Sequence, residues 1–167
     1  MHNDTATRTK SEQLPGLLAE TWFGAQLPPA AIHHLEPHVR LVELEPGEAL
    51  LHEGGPADDL GIIREGRVAI RLRVAGRGIT TILTVEPGDV VGWSAVVPPH
   101  RSTSTVVALV RSTIVLIDGA ALRAELALDP ETAAPVYHAL LQAMARRLTG
   151  TRLQLLDLFT APGTEPW

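Results

Sequence analysis

The stretch GRVAIRLRVAGRGITTILTVEPGD, residues 66–89, decides the fold class of this chain. Within it, apolar residues stand at every second position of 68–74, with arginine at the two positions that separate the last three of them. A period of two is typical of a β-strand with one face in water. Gly76 and Gly78 then mark a turn, and a second β-branched run follows. The stretch therefore predicts a β-hairpin with one solvated face.

Similar runs extend this pattern in both directions along the chain. Short β-branched segments alternate with Gly, Pro and Asp turns from Arg40 to Asp118, which is typical of an antiparallel sandwich or barrel. Outside that region, apolar spacing predicts helices. Asp129 and Pro130 mark either a break or an N-cap followed by a proline at the first helical position, and Pro135 suggests that the last helix becomes regular only from that residue. The fold class is thus α+β, mainly β: an antiparallel β-roll or jelly-roll barrel with flanking helices. The predicted organisation is a disordered tail at 1–13, N-terminal helices at 14–39, a β-roll at 40–118, C-terminal helices at 120–159 and a tail at 160–167.

Composition excludes several classes of protein. The 167 residues carry 14 Lys and Arg against 19 Asp and Glu, a formal net charge of −5, whereas a dedicated nucleic-acid binder is usually basic. There is no cysteine, which excludes disulfides and thiolate metal sites. No window of eighteen apolar residues predicts a membrane span, and the polar start lacks the apolar core of a signal peptide. We therefore expect a cytoplasmic protein.

Four segments carry a resemblance to a known family. They are Pro46–Glu48 with Glu53–Leu60 and Gly66–Val68; Pro87–Asp89 followed by Gly92; Arg101 followed by a Ser/Thr and β run to Asp118; and Gln142–Leu148. In order and spacing they resemble the cyclic nucleotide-binding domain of the catabolite activator and protein kinase regulatory subunit superfamily, over about residues 28–159. The resemblance implies a β-roll, a long C-terminal helix that forms a homodimer through residues 136–159, and a regulatory function.

The resemblance also implies a ligand site, the phosphate-binding cassette, at residues 92–105. In the family, a short helix after the glycine directs backbone N–H groups at a cyclic phosphate, and unpaired amides at a helix start do favour an anion. A downstream arginine neutralises the phosphate, and in some members a threonine of the long helix touches the base. The implied ligand-binding residues are Gly92, Trp93, Ser94, Ala95, Arg101, Ser102, Thr103 and Thr151.

Two positions depart from the family pattern. Trp93 replaces the glutamate that accepts hydrogen bonds from the ribose hydroxyl, and an indole has no acceptor for that bond. Arg101 stands seven residues before Ala108, where the family arginine stands six before, so Ser102 occupies that slot. Either the loop is one residue longer or the phosphate arginine is missing. Trp93 either offers a surface on which a ring stacks or fills the ribose space.

The sequence therefore predicts a regulatory sensor module that binds a small anionic ligand, with cAMP or cGMP as the candidates, and reports through a dimer or a partner protein. No further cofactor, direct nucleic-acid contact or enzymatic activity is expected, and the resemblance suggests a stand-alone domain without a helix-turn-helix segment. The alternative is an interaction module with a degenerate pocket that binds no nucleotide. A metal-dependent cupin-like enzyme is the third hypothesis. It is disfavoured because none of the seven histidines forms an H-x-H pair with a following glutamate.

Overall fold

Nine strands form two antiparallel sheets in the computed structural model, which describes residues 11–12 and 15–160, with side chains from 15 to 153. One sheet has five strands in the order β1-β2-β9-β4-β7, and the other has four in the order β3-β8-β5-β6. The strands are β1 (Ser11–Glu12), β2 (Val39–Leu44), β3 (Ala49–Leu51), β4 (Asp59–Glu65), β5 (Val68–Val74), β6 (Gly78–Val85), β7 (Val90–Val91), β8 (Thr105–Ala108) and β9 (Ser112–Asp118).

Two apolar cores separate three layers. The first lies between the sheets and joins Val42, Ile63 and Ile114 of the five-stranded sheet to Val68 and Val106 of the other. The second lies between the outer face of the five-stranded sheet and the helices. The helices are α1 (Pro29–Leu35), α2 (Gly119–Leu128) and α3 (Pro130–Thr160), with 3-10 turns at Gly24–Gln26, Glu36–His38 and Trp93–Ala95. The predicted antiparallel β-roll with flanking helices and a long C-terminal helix is therefore confirmed.

The N-terminal prediction was wrong in part. Ser11 and Glu12, assigned to a disordered tail, pair as a strand with Val42 and Leu41 of β2. Residues 15–23 form turns instead of a helix. The Thr21 hydroxyl donates to the Leu18 carbonyl oxygen (2.7 Å) and accepts from the Gly24 amide (2.9 Å). These side-chain bonds offer the backbone an alternative to helical bonding. The remainder of the predicted tails, at 1–10, 13 and 161–167, lies outside the described residues.

The long helix begins earlier than the sequence predicted. It runs without a break through Pro135 from Pro130, whose missing N–H suits a first helical position. Asp129 precedes it and caps the turn, accepting from the Glu131 amide (3.0 Å) and the Thr132 hydroxyl. The Thr132 bond, the largest influence, lowers the pKa of the Asp129 carboxyl. This cap holds the first turns in a helical geometry although Pro135 lacks a backbone donor.

Candidate ligand-binding cassette

The cassette starts at a glycine wedged between two strands. Gly92 follows β7 with φ of +72°, and a Cβ there would overlap the Asp59 carbonyl oxygen and lie 3.2 Å from Leu51 Cδ1. Only glycine meets both demands, a left-handed backbone and a close approach. The 3-10 turn Trp93–Ala95 follows directly; the Ala95 amide donates to the Gly92 carbonyl oxygen (2.9 Å), which leaves the Trp93 and Ser94 amides as the donors of the turn without a partner among the described residues. The cassette therefore presents backbone donors at the position that the family resemblance implied.

The far end of this turn is held by the rest of the protein. Ala95 is fully buried, and its carbonyl oxygen accepts from the Arg123 guanidinium on α2. The Ser94 carbonyl oxygen lies 3.2 Å from His100 Nδ1, which closes the loop between them. Ser94 itself is buried. Arg123 was not predicted, because its separation of 28 residues from Ala95 leaves no local signal in the sequence.

Trp93 packs against the long helix. Its indole belongs to the core between the five-stranded sheet and the helices, and it lines a cavity of about 10 Å³ with Leu140, Ala143 and Met144. Both interpretations of Trp93 placed its ring at the nucleotide pocket, whereas this packing joins the cassette to α3. A role for Trp93 as a ligand contact remains a prediction.

Arg147 reinforces the joint between the cassette and α3. Its guanidinium donates to the carbonyl oxygen of Val90, two residues before Gly92. Burial lowers the pKa of Arg147, and the nearby Asp89 partly offsets this effect. The guanidinium carbon of the adjacent residue, Arg146, lies 3.5 Å from the centroid of the Trp22 ring. The helix is thus fastened to the sheet and to the N-terminal turns by neighbouring arginines.

Arg101 and Ser102 point in opposite directions. Arg101 is exposed, and its Nε and Nη2 donate to the Gly54 carbonyl oxygen at 3.1 and 2.6 Å. Ser102 is 6% exposed, and its hydroxyl has no hydrogen-bond partner. Its backbone pairs with Gly54 and Gly55. The spacing left two alternatives, a loop that is one residue longer or a missing phosphate arginine. Because Ser102 is buried and Arg101 is exposed, this geometry favours the second.

The structure brings most of the predicted site residues together along one segment. Gly92 lies against Asp59, while Arg101 and Ser102 pair with residues 54–56, so one loop holds both sides of the cassette. Thr103 is exposed. Thr151 lies on α3, where its hydroxyl donates to the Arg147 carbonyl oxygen of its own helix (2.9 Å).

Asp59, whose backbone carbonyl lies against Gly92, carries a partly buried carboxylate. Its carboxylate accepts from Arg40 at 2.5 Å, and its other oxygen has no partner. Burial raises the pKa of Asp59, and Arg40 offsets part of that effect. Among residues 15–153 no group of three His, Asp or Glu side chains is arranged to hold a metal ion. No described helix combines the length and apolar character needed to cross a bilayer.

Comparison with known proteins identifies the family. The cyclic nucleotide-binding domain model matches residues 41–129. The CRP-like cAMP-activated global transcriptional regulator of Mycobacterium tuberculosis is 33% identical over 143 residues, which are 85% of this chain and 62% of the regulator. The chain thus spans about three fifths of that relative.

Solved structures show the same fold. A putative cyclic nucleotide-binding protein from Geobacter metallireducens superimposes with a TM-score of 0.72 at 24% identity, covering 80% of this chain and 97% of that one. The N-terminal domain of a transcriptional regulator from Streptomyces coelicolor gives a TM-score of 0.60 at 27% identity, covering 87% and 99%. With its glycine-initiated cassette between β7 and β8, the chain belongs to the cyclic nucleotide-binding domain family.

Proposed function

We propose that the chain is a regulatory, non-enzymatic module that senses a small anionic ligand at residues 92–105 and transmits its presence through α3. The observation that carries this proposal is the position of Trp93. Its backbone amide belongs to the first turn of the cassette, while its side chain packs against the core that includes Leu140 and lines a small cavity with Leu140 and Met144 of α3. A ligand that accepts a hydrogen bond from the Trp93 amide therefore binds a residue whose side chain also lies beside α3.

The donors of the cassette define the ligand class. Unpaired amides at the start of a helical turn favour an anion, and the buried Ser102 hydroxyl offers one further polar contact. Neither the family glutamate nor an arginine in its slot is present. We therefore propose a ligand that needs a phosphate-like group bound by backbone donors, with cAMP and cGMP as the first compounds to test.

The exposed face of α3 supports a homodimer as the output. Val136 and Leu140 of the predicted stripe are buried against the protein's own core. Five other large apolar side chains of α3 remain 39–65% exposed: Tyr137, Leu141, Met144, Leu148 and Leu153. The first four are spaced by four, three and four residues, which is the heptad pattern of a two-helix seam. A second copy of α3 offers a matching surface, so we propose dimerisation through residues 136–159.

A second candidate function has its own support. The guanidinium of Arg101 already binds the protein's own Gly54 carbonyl, and no cationic side chain occupies the buried slot. An interaction module without a nucleotide ligand would have this appearance. In that case α3 and its exposed stripe would be the functional surface.

Titration calorimetry distinguishes the two candidates. Purified protein is titrated with cAMP, cGMP and cyclic dinucleotides, and its tryptophan fluorescence is followed in parallel, with a Trp93→Phe variant to identify the signal of Trp93. The sensor proposal expects saturable binding that weakens at least tenfold in Ser102→Ala and is unchanged in Arg77→Ala, an exposed arginine of the hairpin. Silence from every compound, with the fluorescence unmoved, would favour the interaction module.

Light scattering tests the dimer separately. The wild-type chain is expected at the mass of two copies at micromolar concentration, and Leu141→Glu with Leu148→Glu is expected at the mass of one. Leu128→Glu is the matched control, because Leu128 is 81% exposed but lies on α2. A monomeric wild type, or a dimer that the stripe variants leave intact, contradicts the proposed seam.

A further inference from the structure

A second cavity lies on the opposite face of the four-stranded sheet from the core. It has a volume of about 630 Å³ and is lined by His52–Gly54, Arg71, Arg73, Ile79, Thr105 and Val107, which we call the outer cleft. Pairing places these strand residues on one face, because Arg71 lies opposite Thr105 and Arg73 opposite Ile79. Ile70 and Val106, also a pair, point to the core instead. The cleft is therefore outside the β-roll.

The wall of the cleft is a built structure. Arg73 lies past the first residue of β8, where no described strand pairs with it on that side, and the Glu53 carboxylate accepts from its backbone amide at 2.9 Å. The Glu53 amide in turn donates to the Thr105 hydroxyl at 3.0 Å. These two bonds hold the loop 52–54 over the edge of the sheet. The Glu53 carboxylate binds the backbone amide of Arg73 and forms no described ion pair with the guanidinium of Arg71 or Arg73.

The two arginines of the cleft are unusual in this chain. Eight arginines of the described residues have partners: carboxylates for Arg40, Arg64, Arg67 and Arg111, backbone carbonyls for Arg101, Arg123 and Arg147, and an aromatic ring for Arg146. Arg77 and Arg152 have none among these residues, but they do not line the outer cleft. Within the described part of the chain, no ion pair or hydrogen bond engages the guanidinium of Arg71 or Arg73. This holds although acidic residues outnumber basic ones by 19 to 14.

The geometry of this pair suits one class of ligand. Positions two apart on a strand are separated by about 7 Å and project from the same face, so two guanidinium groups can engage one oxyanion. His52 also lines the cleft. Val107 and Ile79, the latter 63% exposed, give the cleft an apolar part. Its volume lies within the range of about 300–1,000 Å³ common for small-molecule sites.

We infer that the outer cleft is a second ligand site, which binds a small organic anion: an apolar body that carries a phosphate or carboxylate group. Arg71 and Arg73 bind the oxyanion, and the apolar body packs on Val107 and Ile79. Charge complementarity and the apolar part together favour an amphiphilic anion over either an inorganic ion or a neutral compound. The outer cleft shares only Thr105, the last residue of the cassette, with the site proposed above. Its arginines and apolar side chains lie outside the cassette, so the inference does not rest on the proposed function.

A titration followed by nuclear magnetic resonance tests the inference on the full chain. The probes are hexyl phosphate, hexanoate, hexanol and inorganic phosphate. We expect saturable shifts at the amides of Arg71, Arg73, Thr105 and Val107 with hexyl phosphate or hexanoate. The comparison of these two probes identifies the preferred oxyanion. Hexanol and inorganic phosphate each lack one half of the ligand and are expected to bind at least tenfold more weakly.

Matched variants locate the binding. Arg71→Gln with Arg73→Gln is expected to weaken hexyl phosphate or hexanoate at least tenfold, while Arg77→Gln, an arginine of the same hairpin outside the cleft, leaves it unchanged. Ser102→Ala also leaves it unchanged, which separates this site from the cassette. Shifts confined to residues 93–95 would overturn the inference. So would an equal loss of affinity in the Arg71→Gln/Arg73→Gln variant and in the Arg77→Gln control. So would tight binding of an oligoglutamate peptide when both hexyl anions are silent.

Discussion

Two buried serines show how the β-roll scaffold and the cassette differ. Ser112 is 1% exposed at the start of β9; its hydroxyl donates to the Val110 carbonyl oxygen (2.8 Å) and accepts from the Arg67 amide (3.1 Å). Ser102 is 6% exposed in the cassette, and its hydroxyl has no partner. The Ser112 hydroxyl is therefore satisfied by its neighbours, whereas the Ser102 hydroxyl is left available, as are Thr113 Oγ1 in β9 and one Asp59 oxygen in β4.

The unpaired hydroxyl of Ser102 carries a free-energy cost. A buried hydroxyl without a partner costs about 1–3 kcal/mol, so folding alone does not favour it. Such a group is expected where a ligand or an ordered water completes the bond. The unpaired Ser102 hydroxyl therefore supports the proposed ligand site, even though the side chains of the cassette depart from the family pattern.

The largest effect is expected from the scaffold. Gly66 has φ of +90°, and an added Cβ would lie 2.6 Å from both the Arg111 carbonyl oxygen and Ser112 Cα. Gly66→Ala should lower the free energy of unfolding by about 3 kcal/mol or more, since backbone strain and overpacking each cost roughly 1–3 kcal/mol. Chemical denaturation measures the change.

Gly76→Ala is the control for that substitution. Its φ is +76°, but nothing lies within 4 Å of an added Cβ, so only backbone strain applies. We expect it to cost about 1 kcal/mol, the lower end of such strain. Equal losses of unfolding free energy in Gly66→Ala and Gly76→Ala would show that the close approach of Ser112 does not constrain the turn at Gly66.

Restoring the family residues in the cassette is the next largest change. Trp93→Glu with Ser102→Arg supplies an acceptor for the ribose hydroxyl and a cation in the buried slot. Each charged hydrogen bond contributes about 1.5–3 kcal/mol, so the affinity for cAMP should rise about 100-fold or more. Calorimetry measures it, with Ser102→Arg alone as the intermediate case and circular dichroism to confirm that each variant folds. A folded double variant with unchanged affinity would contradict the assignment of Ser102 to that slot.

The smallest effects are the most direct test of the two serines. Ser112→Ala should destabilise the fold by about 1–3 kcal/mol, because the Arg67 amide loses its acceptor. Ser102→Ala should be neutral or stabilise the ligand-free protein by up to about 1 kcal/mol, because it removes an unpaired hydroxyl. Thermal unfolding of both variants gives the signs. A loss of similar size at Ser102 would indicate that its hydroxyl already has a partner.

Much of the architecture could be predicted because its signals are local. Alternation in 68–74 specified a strand, glycine turns specified where strands end, and apolar spacing specified α3. Errors arose where distant contacts decide. Strand β1 forms because residues 11–12 meet β2 some thirty residues later. The helix continues through Pro135 because Asp129 and Pro130 start it earlier.

The site divided in the same way. By itself, the sequence determined the family, the expected position of the cassette and the replacement of the family glutamate by Trp93. These depend only on the order and type of the residues. Only the tertiary structure decided that Ser102 is buried while Arg101 lies outside, that Trp93 packs on α3, and that Arg71 and Arg73 share a cleft with the loop 52–54. Those facts depend on strand pairing and side-chain direction between residues far apart in the chain, which no local pattern encodes.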